Sequence, residues 1–241
     1  MNDQSVQPKE SRQGLGFADL LSIVVVLALA GVTAIVWFNA PEGRYPVHMN
    51  LAGQVDRWAD KAAFVSALGL MAGITTVIAV LLAACARSRA LAMQVQRAGP
   101  VFAVARVLAV VAPAFGAALI AGIGLGMIQP DDPTLLMRVV MGFIAVSILA
   151  IGEPLGKTKP NAFAGVRSYF TLTSRQAWDK SNRLAGRLFF WIGLAGLIAS
   201  PFAPQPLGVA VLAGAVLLSI VVTVFESWRV WRNDPGRREA I

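Results

Sequence analysis

Histidine and cysteine, the side chains that ligate most protein-bound zinc, occur once each in this chain, as His48 and Cys85. One of each cannot assemble a multi-ligand metal site, and a lone cysteine cannot close an internal disulfide, so the redox compartment stays open. Charge is scarce too. Asp, Glu, Lys and Arg make up 14% of the 241 residues while 56% are hydrophobic, and a mean hydropathy of +0.65 is too high for a soluble domain of this length. No Ser–His arrangement or carboxylate pair stands out, which argues against a membrane-embedded hydrolase or transferase, and the chain reads as a non-enzyme. No cofactor is expected either: Gly122, Gly124 and Gly126 lie inside an apolar run with no strand before it, a setting for helix packing and not for a nucleotide loop.

What the chain has in abundance is apolar runs. They fall near residues 20–39, 62–86, 107–128, 134–152, 188–203 and 207–225, and most reach the roughly 20 residues needed to cross a hydrocarbon core of about 30 Å. The expected architecture is an all-α integral membrane protein with six transmembrane helices. The fifth run is the weakest, and PFAPQP at 201–206 separates it from the sixth, since one helix would not continue through three prolines. The first run is too long for a secretion signal and no A-x-A-like site follows it, so it reads as a retained span. Arg106 is expected at the mouth of the third span, reaching to the headgroups. Gly69 with Gly73, and Gly122 with Gly126, predict close helix approaches, and Pro113 predicts a kink.

Basic residues fix the expected orientation. Seventeen of the 21 Lys and Arg residues fall in the amino-terminal tail, the 87–106 loop, the stretch from Lys157 to Arg187 and the carboxyl-terminal tail. The other four, Arg44, Arg57, Lys61 and Arg138, share their side with five acids. By the positive-inside rule both termini are cytoplasmic. The division is then a tail at 1–19, a four-span portion at 20–153 with an external loop at 40–61, a cytoplasmic basic loop and interfacial helix at 154–187, two spans at 188–227 and a basic tail at 228–241. The net charge of +8 thus serves orientation and contact with membrane lipids, and direct nucleic-acid binding is not expected.

Two loops carry more pattern than connectors need. The outer one, RYPVHMNLAGQVDRWADK from Arg44 to Lys61, has turn formers at Pro46, Asn50 and Gly53, and Asp56 is placed to cap the segment entering the second span. His48 either holds that turn or meets an external ligand. In the inner loop, Lys159, Pro160 and Asn161 open a turn and Gly165 offers a backbone position free of side-chain clash, followed by Arg167. Thr173 with Gln176 fits a capping box, so a helix should begin at Ser174 and run toward the fifth span. On it Ala177, Trp178, Leu184, Ala185 and Leu188 share one face, whereas Arg175, Lys180, Asn182, Arg183 and Arg187 point elsewhere. The pattern predicts an interfacial helix with Trp178 at the headgroup boundary, joined there by Phe163, Tyr169 and Phe170. The segment is either a basic belt on anionic lipid or a shaped cytoplasmic surface on which Arg167 pins the loop or meets an acidic group.

At these loops the chain resembles the SdpI-like immunity protein family of bacterial membrane proteins. The family's KxKPNxFxGxRxxxTLS segment, followed by Trp and a basic stretch, is matched by KTKPNAFAGVRSYFTLTSRQAW, at Lys157, Lys159, Pro160, Asn161, Phe163, Gly165, Arg167, Thr171, Leu172 and Trp178. Its outer P-x-H-x-N-x-x-G-x-x-D is matched by Pro46, His48, Asn50, Gly53 and Asp56. The chain departs from the pattern at Phe170, where Trp is usual, and at Asn182, where His usually precedes the Arg that here is Arg183. The resemblance implies a protein that protects the cell from a secreted peptide toxin and, for the founding member, one that takes a cytoplasmic repressor to the membrane. The expected ligand or partner contacts are His48, Asn50, Gly53 and Asp56 outside, and Lys159, Asn161, Gly165, Arg167, Thr171, Trp178 and Arg183 inside. The competing reading, a small transporter or flippase, lacks ionisable groups at mid-span.

Overall fold

The computed structural model describes residues 15–50, 54–128 and 133–237, and Gly53 lies outside them. Among the described residues, eight helices and one hairpin follow in order: α1 (Phe17–Asn39), β1 (Arg44–Met49), β2 (Val55–Asp60), α2 (Lys61–Arg87), α3 (Ala92–Ala98), α4 (Pro100–Gly124), α5 (Pro133–Leu155), α6 (Tyr169–Thr173), α7 (Arg175–Ala199) and α8 (Leu207–Arg232). Five of them, α1, α2, α4, α5 and α8, are long and apolar enough to cross a membrane. Their outward faces are apolar, with Leu27 67% and Leu217 65% exposed, which suits lipid and not water.

The six long helices form two groups of three. Leu29 and Val36 of α1, Phe64 and Leu68 of α2 and Ala117 and Ala121 of α4 make one core; Met141 and Ala145 of α5 meet Leu212 of α8 and Ile192 of α7 in another. Phe115 and Phe143, stacked at 4.1 Å, join the groups. The closest helix pair is α5 with α7, which run antiparallel from Gly156 beside Arg183 to Gly142 beside Ser200. A Cβ on Gly152 would lie 2.6 Å from the Phe190 nitrogen and one on Gly186 2.8 Å from the Gly152 carbonyl, so here backbone meets backbone. The glycine pairs expected to do this do not. Gly73 faces open space and Gly126, at φ +71, lies beyond the end of α4.

Three further expectations change. The interfacial helix and the fifth apolar run are one unbroken helix, α7, whose polar first half keeps it out of the set of apolar spans. Its cap is Ser174, whose Oγ accepts the Ala177 N–H, because Thr173 is used to close α6. The outer loop is an antiparallel hairpin and not a set of isolated turns. Asp56 lies on β2, and it is Asp60 that caps α2, accepting from the Ala63 N–H at 2.8 Å.

Candidate functional site

The inner loop is built from its own side chains and then clamped. After α5, Asn161 closes a turn on itself: its amide donates to the Lys159 and Ala164 carbonyls, and its Oδ1 accepts from the Phe163 and Ala164 N–H groups at 2.7 and 2.8 Å. That satisfies the turn's backbone without helix or sheet. The Lys159 N–H donates to the Arg97 carbonyl and the Ala162 N–H to Gln94 Oε1, tying the loop to α3. Gly165 has φ +131, and a Cβ there would fall 2.8 Å from Asn182 Oδ1 and 2.9 Å from the Trp178 ring. Conformation and space both require glycine.

Beneath Gly165, α7 presents a polar but buried face. Trp178 is fully buried and donates its indole N–H to the Thr158 carbonyl at 3.0 Å; Asn182, equally buried, accepts the Val166 N–H at 2.7 Å and donates to the Trp178 carbonyl. Neither matches its expected position, Trp178 at the headgroup boundary and Asn182 on the outer face. Both are inside because each polar atom finds a backbone partner there, which removes the cost of burying it. Thr171 Oγ1 accepts the Ser168 N–H and donates to the Val166 carbonyl, Ser168 meets Ser227 of α8 at 3.0 Å, and Ser174 donates to Asp234 just past α8. That hydroxyl and the Gly236 N–H hold the Asp234 carboxyl below its usual range. Phe163 packs on Phe102, and Tyr169 and Phe170 pack on Trp231, so these aromatics have ring partners in the protein.

The predicted inner residues therefore divide. Asn161, Gly165, Thr171 and Trp178 build the surface, whereas Lys159, Arg167 and Arg183 are exposed on it. A cleft of about 720 Å³ opens between α3, the loop and the segment after α8, with Arg97, Lys159 and Arg175 around it. A smaller cavity of about 380 Å³, walled by Leu155, Phe189, Ile220 and Val224, has Arg167 among its lining residues.

At the opposite end His48 Nδ1 lies 2.6 Å from Asp56 Oδ1, both exposed, and Asn50 accepts the Gln54 N–H through its side chain at 3.0 Å. Tyr45 anchors the hairpin by stacking on Phe64 at 4.6 Å. The structure thus pairs His48 with Asp56 and ties Asn50 to Gln54 in the same hairpin, which precedes α2, whereas the inner loop is tied to α3, which follows it. A further constellation had no counterpart in the sequence reading. Asp19, buried in the first turn of α1, accepts from Arg87 of α2 and Arg106 of α4. Arg106 is drawn inward to a carboxylate and does not reach out to headgroups. The available signal was an acid inside the start of an apolar run. Among the described residues no group of three or more His, Cys, Asp or Glu could hold a metal ion.

Fold and surface define a multi-span helical membrane protein with one built, basic end. Residues 157–226 match the SdpI/YfhL protein family, and residues 24–75 match a domain of unknown function, DUF1648. The chain is SdpI-like, and the first match takes in the whole clamped loop, α7 and most of α8. No curated protein and no solved structure matches it.

Proposed function

We propose that this is a six-span inner-membrane protein that binds a membrane-active peptide toxin or similar hydrophobic ligand and thereby protects the cell. The observation that carries the reading is the coincidence of the SdpI/YfhL match with a loop that is folded by buried polar contacts. A lipid belt needs charge but no such interior. The sixth span is α7: it lies along α5 from Gly156 to Gly142, so where α5 crosses, α7 crosses beside it. Both termini and the basic end are then cytoplasmic. His48 and Asp56 on the hairpin meet the ligand first, the apolar helices hold its hydrophobic part, and the cleft beside Arg97, Lys159 and Arg175 suits an acidic segment of a cytoplasmic repressor.

The test is expression in a sensitive host challenged with a panel of secreted membrane-active bacterial peptides. Tolerance to at least one peptide, weakened by His48→Ala or Asp56→Ala at unchanged membrane abundance, is the expected result. Tolerance that disappears when the proton gradient is collapsed, with no peptide binding to the purified protein, would replace binding by transport.

A further inference from the structure

A groove of about 360 Å³ runs between α5 and α7 on the outward face of the basic end, separate from the cleft and from the cavity beside Arg167. Its shape follows from missing side chains. Gly152, Gly156 and Gly186 bring the two backbones together, and the Arg183 stem lies across Gly156, where a Cβ would sit 3.1 Å from Arg183 Cγ. Lys157, Arg183 and Arg187 rim the groove against one carboxylate, Glu153, which is paired with Lys157. Arg183 donates its Nε–H to the Asp179 carbonyl, which holds the side chain in place. One turn farther along α7 the lining becomes Phe190 and Trp191, the latter 64% exposed, and Ile198 beyond them is equally exposed.

Cations at one end, a narrow floor without side chains and an exposed aromatic slope at the other reproduce the polarity of a phospholipid. We infer that this groove is a binding site for an anionic phospholipid, its phosphate on Arg183 and Arg187 and an acyl chain along Phe190 and Trp191. Guanidinium groups favour the phosphate because they offer several N–H donors in a plane. The uncompensated charge favours an anionic headgroup over a zwitterionic one, and the apolar slope favours a lipid over free phosphate. The site does not depend on the proposed ligand, so its failure would leave the proposed function standing.

The full-length protein, purified in detergent, can be examined by native mass spectrometry with phosphatidylglycerol, phosphatidylcholine or inorganic phosphate added at equal concentration. Phosphatidylglycerol should be retained at least about tenfold better than phosphatidylcholine, with no phosphate adduct, and Arg183→Gln with Arg187→Gln should abolish that preference. Arg232→Gln with Arg237→Gln removes the same charge from the same end and should leave it intact. As a measure of the acyl path, brominated phosphatidylglycerol should quench less fluorescence in Trp191→Phe than in the parent. Equal retention of both lipids, loss of preference in both double variants, phosphate binding in place of lipid, or quenching that Trp191→Phe does not reduce would each overturn the site.

Discussion

Trp178 and Thr158 are joined by a hydrogen bond of 3.0 Å from the indole N–H to a backbone carbonyl, and the tryptophan has no exposed surface. The bond links the first turn of α7 to the chain just past α5, so the loop between them is held at both ends. Trp178→Phe keeps most of the packing but leaves the Thr158 carbonyl unpaired, at about 1–3 kcal/mol. Trp178→Ala opens a cavity as well, at about 3–5 kcal/mol. Gly165→Ala, strained and crowded, should cost at least about 1–3 kcal/mol. Unfolding of the detergent-solubilised protein is the measurement, and exposed Trp191→Phe should have little effect on it.

Asp19 holds Arg87 and Arg106 from two other helices. Removing the acid leaves the largely buried Arg106 guanidinium without its carboxylate, beside the more exposed Arg87, so Asp19→Ala should destabilise by up to about 3–5 kcal/mol. Glu42→Ala, which breaks the exposed pair with Lys61, should cost about 0–1 kcal/mol. Equal losses in thermal unfolding would mean that the triad is a surface feature.

Stability should depend on pH through Asp234. Its carboxyl titrates lower in the folded protein because Ser174 and the Gly236 N–H bond to it. The folded pKa lies below the unfolded one, so the stabilisation is complete above the unfolded value and is lost as pH falls through the folded one. Asp234→Asn should therefore be less stable than the parent at neutral pH, with the gap closing below about pH 4. A gap of constant size across that range would assign the effect to packing.

Topology is open to single-cysteine labelling in a Cys85→Ala background. A membrane-impermeant reagent applied to intact cells should modify Val47→Cys on the hairpin and spare Ala162→Cys on the inner loop. The reverse pattern would invert the protein and the order in which it meets its ligand.

Much of the scaffold was legible because single-residue chemistry decides it. Apolar runs located the five helices long and apolar enough to cross a membrane, Pro201, Pro204 and Pro206 separated α7 from α8, and the start of α7 was placed to within a residue. The interior of the loop was not legible. Polarity put Asn182 on an outer face, yet its partner, the Val166 N–H, is 16 residues away and exists only once the loop has folded over Gly165. The same holds for Asp19, whose partners are 68 and 87 residues distant. For the hairpin, turn formers at Pro46 and Asn50 were visible, but the pairing of His48 with Asp56 depends on strand register.

The central claim is that the inner loop acts as a shaped surface and not as a belt of charge. Host tolerance at matched membrane abundance tests it directly, with Arg167→Lys compared against Lys180→Gln. The first keeps the charge and loses the planar guanidinium; the second loses a charge on an exposed residue of α7. The account predicts poor protection by Arg167→Lys and full protection by Lys180→Gln. Full protection by Arg167→Lys, with loss in Lys180→Gln, would contradict it.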